Sequence, residues 1–82
     1  MFTGIVEAIG TVAAMEEGTL TIAAPELDGL KTGGSVSVNG ACLTVTKALD
    51  GAFMVDVVPE TRRRTNLGGL DIASLVNLER PI

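Results

Sequence analysis

One strand-like segment of the sequence carries side chains that could contact a small polar ligand. From position 41 onward, polar and apolar residues alternate. Because successive side chains of a strand point to opposite faces, Cys42, Thr44 and Thr46 should share one face. Leu43 and Val45 should share the other. A row made of one thiol and two hydroxyls suits either solvent or the wall of a ligand cleft.

Cys42 is the only cysteine of the chain, and histidine is absent. These counts exclude an internal disulfide, a Cys/His zinc site and a nucleophile–histidine catalytic pair, so we expect no metal. Free cysteines are usually buried and behave as small apolar residues. The alternative is a reactive thiol, although only Lys47 lies near it in sequence to lower its pKa.

A second candidate group is the run Val58-Pro59-Glu60-Thr61. Pro59 can begin a helix, and Glu60 would meet the positive end of the helix dipole. The run therefore predicts a junction between a strand and a helix over 59–67, with free backbone N–H groups. A carboxylate and a hydroxyl beside them could hold a ligand rich in hydroxyls. Alternatively, Glu60 only caps the helix.

Turn signals recur about every ten residues, as is typical of small antiparallel sandwiches and barrels. The segments between them are rich in Val, Ile and Thr, which favour strands. We predict strands over 4–14, 18–24, 34–38, 41–48, 52–58 and 74–79, with Asn39-Gly40 as a type I′ hairpin turn. Six strands and one short helix indicate an all-β fold, a six-stranded antiparallel Greek-key barrel that closes on itself.

Size and charge limit the possible functions. With 82 residues the chain forms one domain, 1–82, and its net charge of −4 argues against nucleic acid as a partner. No apolar run is long enough to span a bilayer, and residues 1–14 lack the basic start of a signal peptide, so we expect no membrane partner and a cytoplasmic location.

Phe2 and Phe53 are the only aromatic residues. Phe2 would either pin the N-terminus to the barrel or cover a neighbouring site.

Three motifs together resemble the riboflavin synthase / lumazine-binding barrel family. The first is Met1-Phe2-Thr3-Gly4-Ile5-Val6-Glu7, followed by Ile9-Gly10. The second is Val38-Asn39-Gly40-Ala41-Cys42-Leu43-Thr44-Val45-Thr46. The third is Pro59-Glu60-Thr61, running on to Arg64-Thr65-Asn66-Leu67-Gly68. Their order and spacing follow the family over essentially the whole chain.

The resemblance implies a shallow cleft that holds one 6,7-dimethyl-8-ribityllumazine or riboflavin. Phe2 and Cys42 are the positions that it ties most closely to activity, Phe2 as an aromatic cover and Cys42 as a side chain against the ring. The implied substrate- or flavin-binding residues are Gly4, Ile5, Val6, Ser35, Cys42, Leu43, Thr44, Asp56, Val57, Val58, Pro59, Glu60 and Thr61. No cofactor is required, because lumazine or riboflavin is itself the ligand.

The family reaction is a dismutation, in which one lumazine gives a four-carbon unit to another, so that riboflavin and a pyrimidinedione are formed. Riboflavin synthases resemble two such barrels in tandem, and this chain matches the N-terminal one. We expect the isolated barrel to be weakly active or inactive, and to associate as a homodimer or another homo-oligomer. The alternatives are a non-catalytic carrier or store of lumazine or flavin, and a structural adaptor whose cleft is vestigial.

Overall fold

A computed structural model of the chain describes residues 2–16, 18–27, 29–57 and 69–82. It contains the six strands that the sequence predicts, and no helix in these ranges is long and apolar enough to cross a membrane. The helix predicted over 59–67 lies outside the described residues. The strands are β1 (Ala8–Glu16), β2 (Thr19–Ala23), β3 (Ser35–Val38), β4 (Ala41–Leu49), β5 (Ala52–Asp56) and β6 (Leu75–Glu79).

The strands form a closed barrel in the order β1-β2-β5-β4-β3-β6, and every pair is antiparallel. The three consecutive strands β3, β4 and β5 are neighbours, and β6 returns to lie beside β3. This arrangement is the Greek key. The predicted all-β barrel is therefore confirmed. In this order β1 and β4 lie on opposite sides of the barrel.

The core is built from aliphatic side chains and one aromatic ring. In β4, Leu43 and Val45 are buried while Cys42, Thr44 and Thr46 are exposed, as the alternation predicts. Phe53 is 1% exposed and is paired with Ile22 of β2 and Ala48 of β4. The buried apolar side chains are Ala8, Val12, Leu20, Ile22, Ala24, Leu27, Val36, Val38, Leu43, Val45, Phe53, Val55, Val57, Val76 and Leu78.

The hairpin between β3 and β4 turns through the two residues that the sequence indicates. Asn39 has φ 50° and Gly40 has φ 86°. Positive φ at both central residues is the requirement of a type I′ turn, which matches the twist of the two strands. The turn fixes the register in which Ser37 faces Cys42 and Ser35 faces Thr44. It therefore determines which side chains of β3 and β4 are neighbours on the outer surface.

The first strand differs from its prediction over 4–14, because β1 begins at Ala8 and ends at Glu16. Residues 2–7 form a separate segment, here called the N-terminal strap. The backbone N–H groups of Thr3 and Gly4 donate to the side chain of Glu79 instead of to a neighbouring strand. Gly4 also has φ +83°, which is outside the strand region. The other strand ends agree with their predictions within two residues.

Gly10 marks the tightest contact between β1 and the core. A Cβ atom at this position would lie 2.7 Å from Ile22 Cγ2 and 2.7 Å from Leu78 Cδ1, and both side chains are fully buried. We therefore expect Gly10→Ala to lower the free energy of unfolding by about 1–3 kcal/mol through overpacking. Urea denaturation would measure the change. Gly69→Ala is the control, since a Cβ there meets no atom of the described residues within 4 Å. An equal loss in both variants would contradict this expectation.

Candidate functional site

A row of polar side chains crosses three adjacent strands on the outside of the barrel. Ser37 of β3 is paired with Glu79 of β6 on one side and with Cys42 of β4 on the other. Directly paired residues of antiparallel strands point to the same face. Glu79, Ser37 and Cys42 therefore stand side by side on the outer surface. Cys42 is exposed, whereas Ser37 and Glu79 are each only 7% exposed.

A second polar row lies next to the first, two residues further along each strand. Ser35 is paired with Thr44. Since Val45 is paired with Val55, Thr44 and Asp56 stand at the next level of β4 and β5 and both point outward. Asp56 is in turn paired with Thr19, whose hydroxyl donates to Asp56 Oδ1 at 3.4 Å. The hydroxyls and this carboxylate form a continuous polar strip on the surface.

The N-terminal strap covers the buried end of the first row. The carboxylate of Glu79 accepts hydrogen bonds from the backbone N–H of Thr3, from Thr3 Oγ1 at 2.7 Å and from the backbone N–H of Gly4 at 3.0 Å. The strap is tied again at Glu7, whose N–H donates to the carbonyl of Leu78 at 2.8 Å. Both ties lie on the last residues of β6, so the strap is anchored along one strand.

Between the strap and the barrel lies a cleft of about 580 Å³. This volume falls within the usual range of small-molecule sites, about 300–1,000 Å³. One wall belongs to the strap and the other to β3, β6 and the β3–β4 turn. The lining residues are Phe2, Gly4, Val6, Ser37, Asn39, Gly40, Asn77, Leu78 and Glu79. An aromatic ring, amide groups and a hydroxyl thus face one space.

The structure brings several of the predicted site residues together. Phe2, Gly4 and Val6 line the cleft, while Cys42, Ser35 and Thr44 belong to the two polar rows beside it. Ile5 is 69% exposed and lines a neighbouring groove with Arg80 and Ile82 instead. Asp56 lies at the far end of the second row.

Two of the predicted residues turn their side chains away from the surface. Leu43 and Val57 are 6% and 2% exposed and belong to the core, so only their backbone groups could reach a ligand. The backbone N–H of Val57 already donates to the carbonyl of Gly18 at 2.8 Å. Val58, Pro59, Glu60 and Thr61 lie outside the described residues, and their predicted roles stay predictions.

Six lining residues are not among the site residues that the sequence predicts: Ser37, Asn39, Gly40, Asn77, Leu78 and Glu79. Ser37 could have been found, because it alternates with the inward-facing Val36 and Val38. Asn39 and Asn77 hold each other through two hydrogen bonds, Asn39 N to the Asn77 carbonyl at 2.8 Å and Asn77 N to Asn39 Oδ1 at 2.7 Å. Nothing in the local sequence shows that a side chain far along the chain will meet the strap, so Glu79 carried no signal.

An ion pair between Glu7 and Arg80 fixes the C-terminal end of the strap. Glu7 accepts from the Arg80 backbone N–H at 2.6 Å and from Arg80 Nη2 at 2.8 Å. The side-chain hydrogen bond from Arg80, followed by the backbone one, lowers the pKa of Glu7 below its ordinary value of 4.5. Because both side chains are partly exposed, solvent weakens the pair.

The lowered pKa of Glu7 gives stability a defined pH dependence. A carboxylate whose pKa is lower in the folded chain stabilises the fold above its ordinary pKa, and the effect is lost as the pH falls through the lowered value. We therefore expect the parent protein to be more stable than Glu7→Gln at neutral pH, with the difference disappearing well below pH 4.5. Thermal melting of both proteins across this range would measure it. A difference that persists in strong acid would contradict the assignment.

Sequence comparison adds to the geometry. The model of the lumazine binding domain family matches residues 3–81. The riboflavin synthase of Bacillus amyloliquefaciens is 51% identical over 98% of this chain and 40% of its own length. Those of Schizosaccharomyces pombe and Escherichia coli are 47% and 43% identical, over 100% and 98% of this chain and 42% and 40% of their own lengths. The chain spans about two fifths of these relatives, and it belongs to the lumazine-binding domain family.

Proposed function

We propose that the chain, residues 1–82, is a single domain that binds one molecule of 6,7-dimethyl-8-ribityllumazine or riboflavin. The observation that carries the proposal is the cleft under the N-terminal strap, which lies beside the polar rows in a chain of the lumazine-binding domain family. Phe2 offers a flat apolar surface to a heteroaromatic ring. The hydroxyl and amide groups of Ser35, Thr44 and Asn39 can hydrogen-bond with the ring carbonyls and the ribityl chain.

Binding alone does not make riboflavin from lumazine. The dismutation needs two lumazines held face to face, so that one gives its four-carbon unit to the other. A barrel with one such ligand supplies half of that arrangement. We propose that the second half comes from another barrel, most simply from a second copy in a two-fold dimer whose clefts face each other. Without that contact the chain acts as a binding module, a carrier or store of its ligand.

Thr44→Val tests the position of the ligand. The variant keeps the shape and the strand preference of Thr44 and removes one hydroxyl, which is exposed in the free protein. Loss of one ligand hydrogen bond costs about 0.5–1.5 kcal/mol, so we expect the Kd for lumazine to rise about two- to tenfold. Titration of the ligand's fluorescence would measure it.

Thr11→Val is the matched control for this test. Thr11 also points outward from a strand, but it lies on β1, opposite β4 in the barrel. We expect it to bind lumazine like the parent protein. Equal affinities in parent, Thr11→Val and Thr44→Val would place the ligand elsewhere. If the parent protein itself binds neither lumazine nor riboflavin, the proposed function is wrong.

A further inference from the structure

Glu79 is a buried carboxylate on a surface where alternation would leave it in water. Val76 and Leu78 point into the core, so the side chain of Glu79 points outward. Among the residues that the structure describes, Ser37 and Glu79 are the buried polar ones, and Glu79 carries the charge. Its burial comes from the N-terminal strap that lies over it.

The donors that meet this carboxylate come from two successive residues of the strap. Thr3 gives its backbone N–H and its hydroxyl, and Gly4 gives its backbone N–H. Neighbouring N–H groups that converge on one anion form a small anion-binding nest. The φ of +83° at Gly4 creates this bend at little cost, because glycine has no side chain. The contact is therefore shaped for a carboxylate.

A charge is a costly way to attach a loose segment to a barrel. Burying a carboxylate is unfavourable unless several donors satisfy it, and an apolar contact would avoid that cost. Charge-assisted hydrogen bonds fix direction as well as distance, however, which an apolar contact does not. The contact consequently favours one geometry of the strap over many.

The residue that this geometry places is Phe2, which directly precedes the fixed pair Thr3-Gly4. Phe2 lines the same cleft as Ser37. Ser37 separates Glu79 from Cys42 in the first polar row. Neighbouring strands are about 4.8 Å apart, so Glu79 and Cys42 are separated by about 10 Å. Tying the strap at Glu79 thus keeps Phe2 at the cleft, beside the first polar row to which Cys42 belongs.

We propose that Glu79 is a positioning residue, which holds the N-terminal strap so that Phe2 forms one wall of the ligand cleft. This inference rests on the proposed function for the identity of the ligand, but not for the position of the strap. When Glu79 loses its carboxylate, the strap leaves the barrel for part of the time. The apparent Kd then rises by the factor by which the docked fraction falls.

The composition of the chain allows a direct measurement of this position. Since the chain contains no tryptophan or tyrosine, Phe2→Trp creates a single emitting residue on the strap. Cys42 is the single cysteine and is exposed, so it can carry a nitroxide, a short-range quencher of tryptophan emission. In the otherwise unchanged protein we expect strong quenching. In Glu79→Ala we expect most of it to be lost.

Two further variants separate positioning from general stability. Thr3→Pro removes both Thr3 donors from the exposed strap without altering the barrel, and it should also lose quenching. Glu7→Gln removes one negative charge at the other end of the strap, where the backbone tie to Leu78 remains, and it should keep quenching. If Glu79→Ala and Thr3→Pro are folded and quench like the parent, Glu79 does not position the strap.

The affinity for lumazine is measured with the same variants, without the introduced tryptophan and without the nitroxide label. We expect the Kd of Glu79→Ala for lumazine to rise by the factor found for the docked fraction, and that of Glu7→Gln to stay unchanged. An unchanged Kd together with lost quenching would overturn the role of Glu79 in the site. Failure of the unmodified protein to bind lumazine would instead refute the proposed function, while the quenching result would still decide whether Glu79 positions the strap.

Discussion

As a single barrel, at protein concentrations too low for a second copy to complete the site, the 82-residue chain is expected to form riboflavin from lumazine at least about a thousandfold more slowly than a full-length riboflavin synthase relative. Holding two reactants in the right orientation is worth effective concentrations of about 10⁵–10⁸ M. One barrel with one ligand gives up most of that advantage, because the second lumazine must arrive from solution. The chain also contains no histidine to take part in proton transfer.

Riboflavin absorbance followed over hours would measure this rate, with the Bacillus amyloliquefaciens enzyme as the reference at equal lumazine concentration. A dilution series is the internal control. If two copies assemble a site, the rate per barrel rises with protein concentration, whereas a lone barrel gives a constant rate. If the chain turns over within about tenfold of the reference, and if Cys42→Ser and Phe2→Ala lose this activity, then two identical barrels suffice for the reaction. The interpretation of the chain as a binding module would then be wrong.

The barrel could be predicted from the sequence because its signals are local. The alternation of Leu43 and Val45 with Cys42 and Thr44 fixes the two faces of β4 without knowledge of any neighbour. Asn39-Gly40 fixes the turn, and the turn fixes the register of β3 against β4. Since these features depend on residues close together in the chain, they carry over directly from sequence to structure.

The N-terminal strap could not be predicted, because what forms it lies at the other end of the chain. Residues 4–7 have the composition of a strand, and the sequence predicts one over 4–14. These residues form the strap instead of a strand, because Thr3 and Gly4 bind the side chain of Glu79, which lies more than seventy positions away in the chain. By alternation Glu79 is an outward-facing charge that water would solvate. Only the closed barrel shows that the strap covers it.

Phe53→Ala should have the largest effect on stability. Phe53 is 1% exposed and is the aromatic side chain of the core, between Ile22 of β2 and Ala48 of β4. Its truncation leaves a cavity among β-branched residues that have few rotamers with which to fill it. Such changes cost about 3–5 kcal/mol. Small domains have about 0.05–0.15 kcal/mol of stability per residue, which is about 4–12 kcal/mol for this chain, so we expect Phe53→Ala to lose a large part of its stability and to unfold at a much lower urea concentration than the parent.

Phe2 supplies the matched control. Comparison of the two alanine variants distinguishes a residue that stabilises the core from one that contacts the ligand. Phe2 is partly exposed on the strap, so Phe2→Ala should change the urea midpoint little while it weakens lumazine binding. Phe53→Ala should lower the urea midpoint strongly and lose ligand binding wherever it unfolds, and Phe53→Leu should recover much of both. Were Phe53→Ala to unfold at the parent's midpoint, the core described here would be wrong. Were Phe2→Ala to lose as much stability as Phe53→Ala, the strap would belong to the core, and Phe2 would be a packing residue rather than a wall of the cleft.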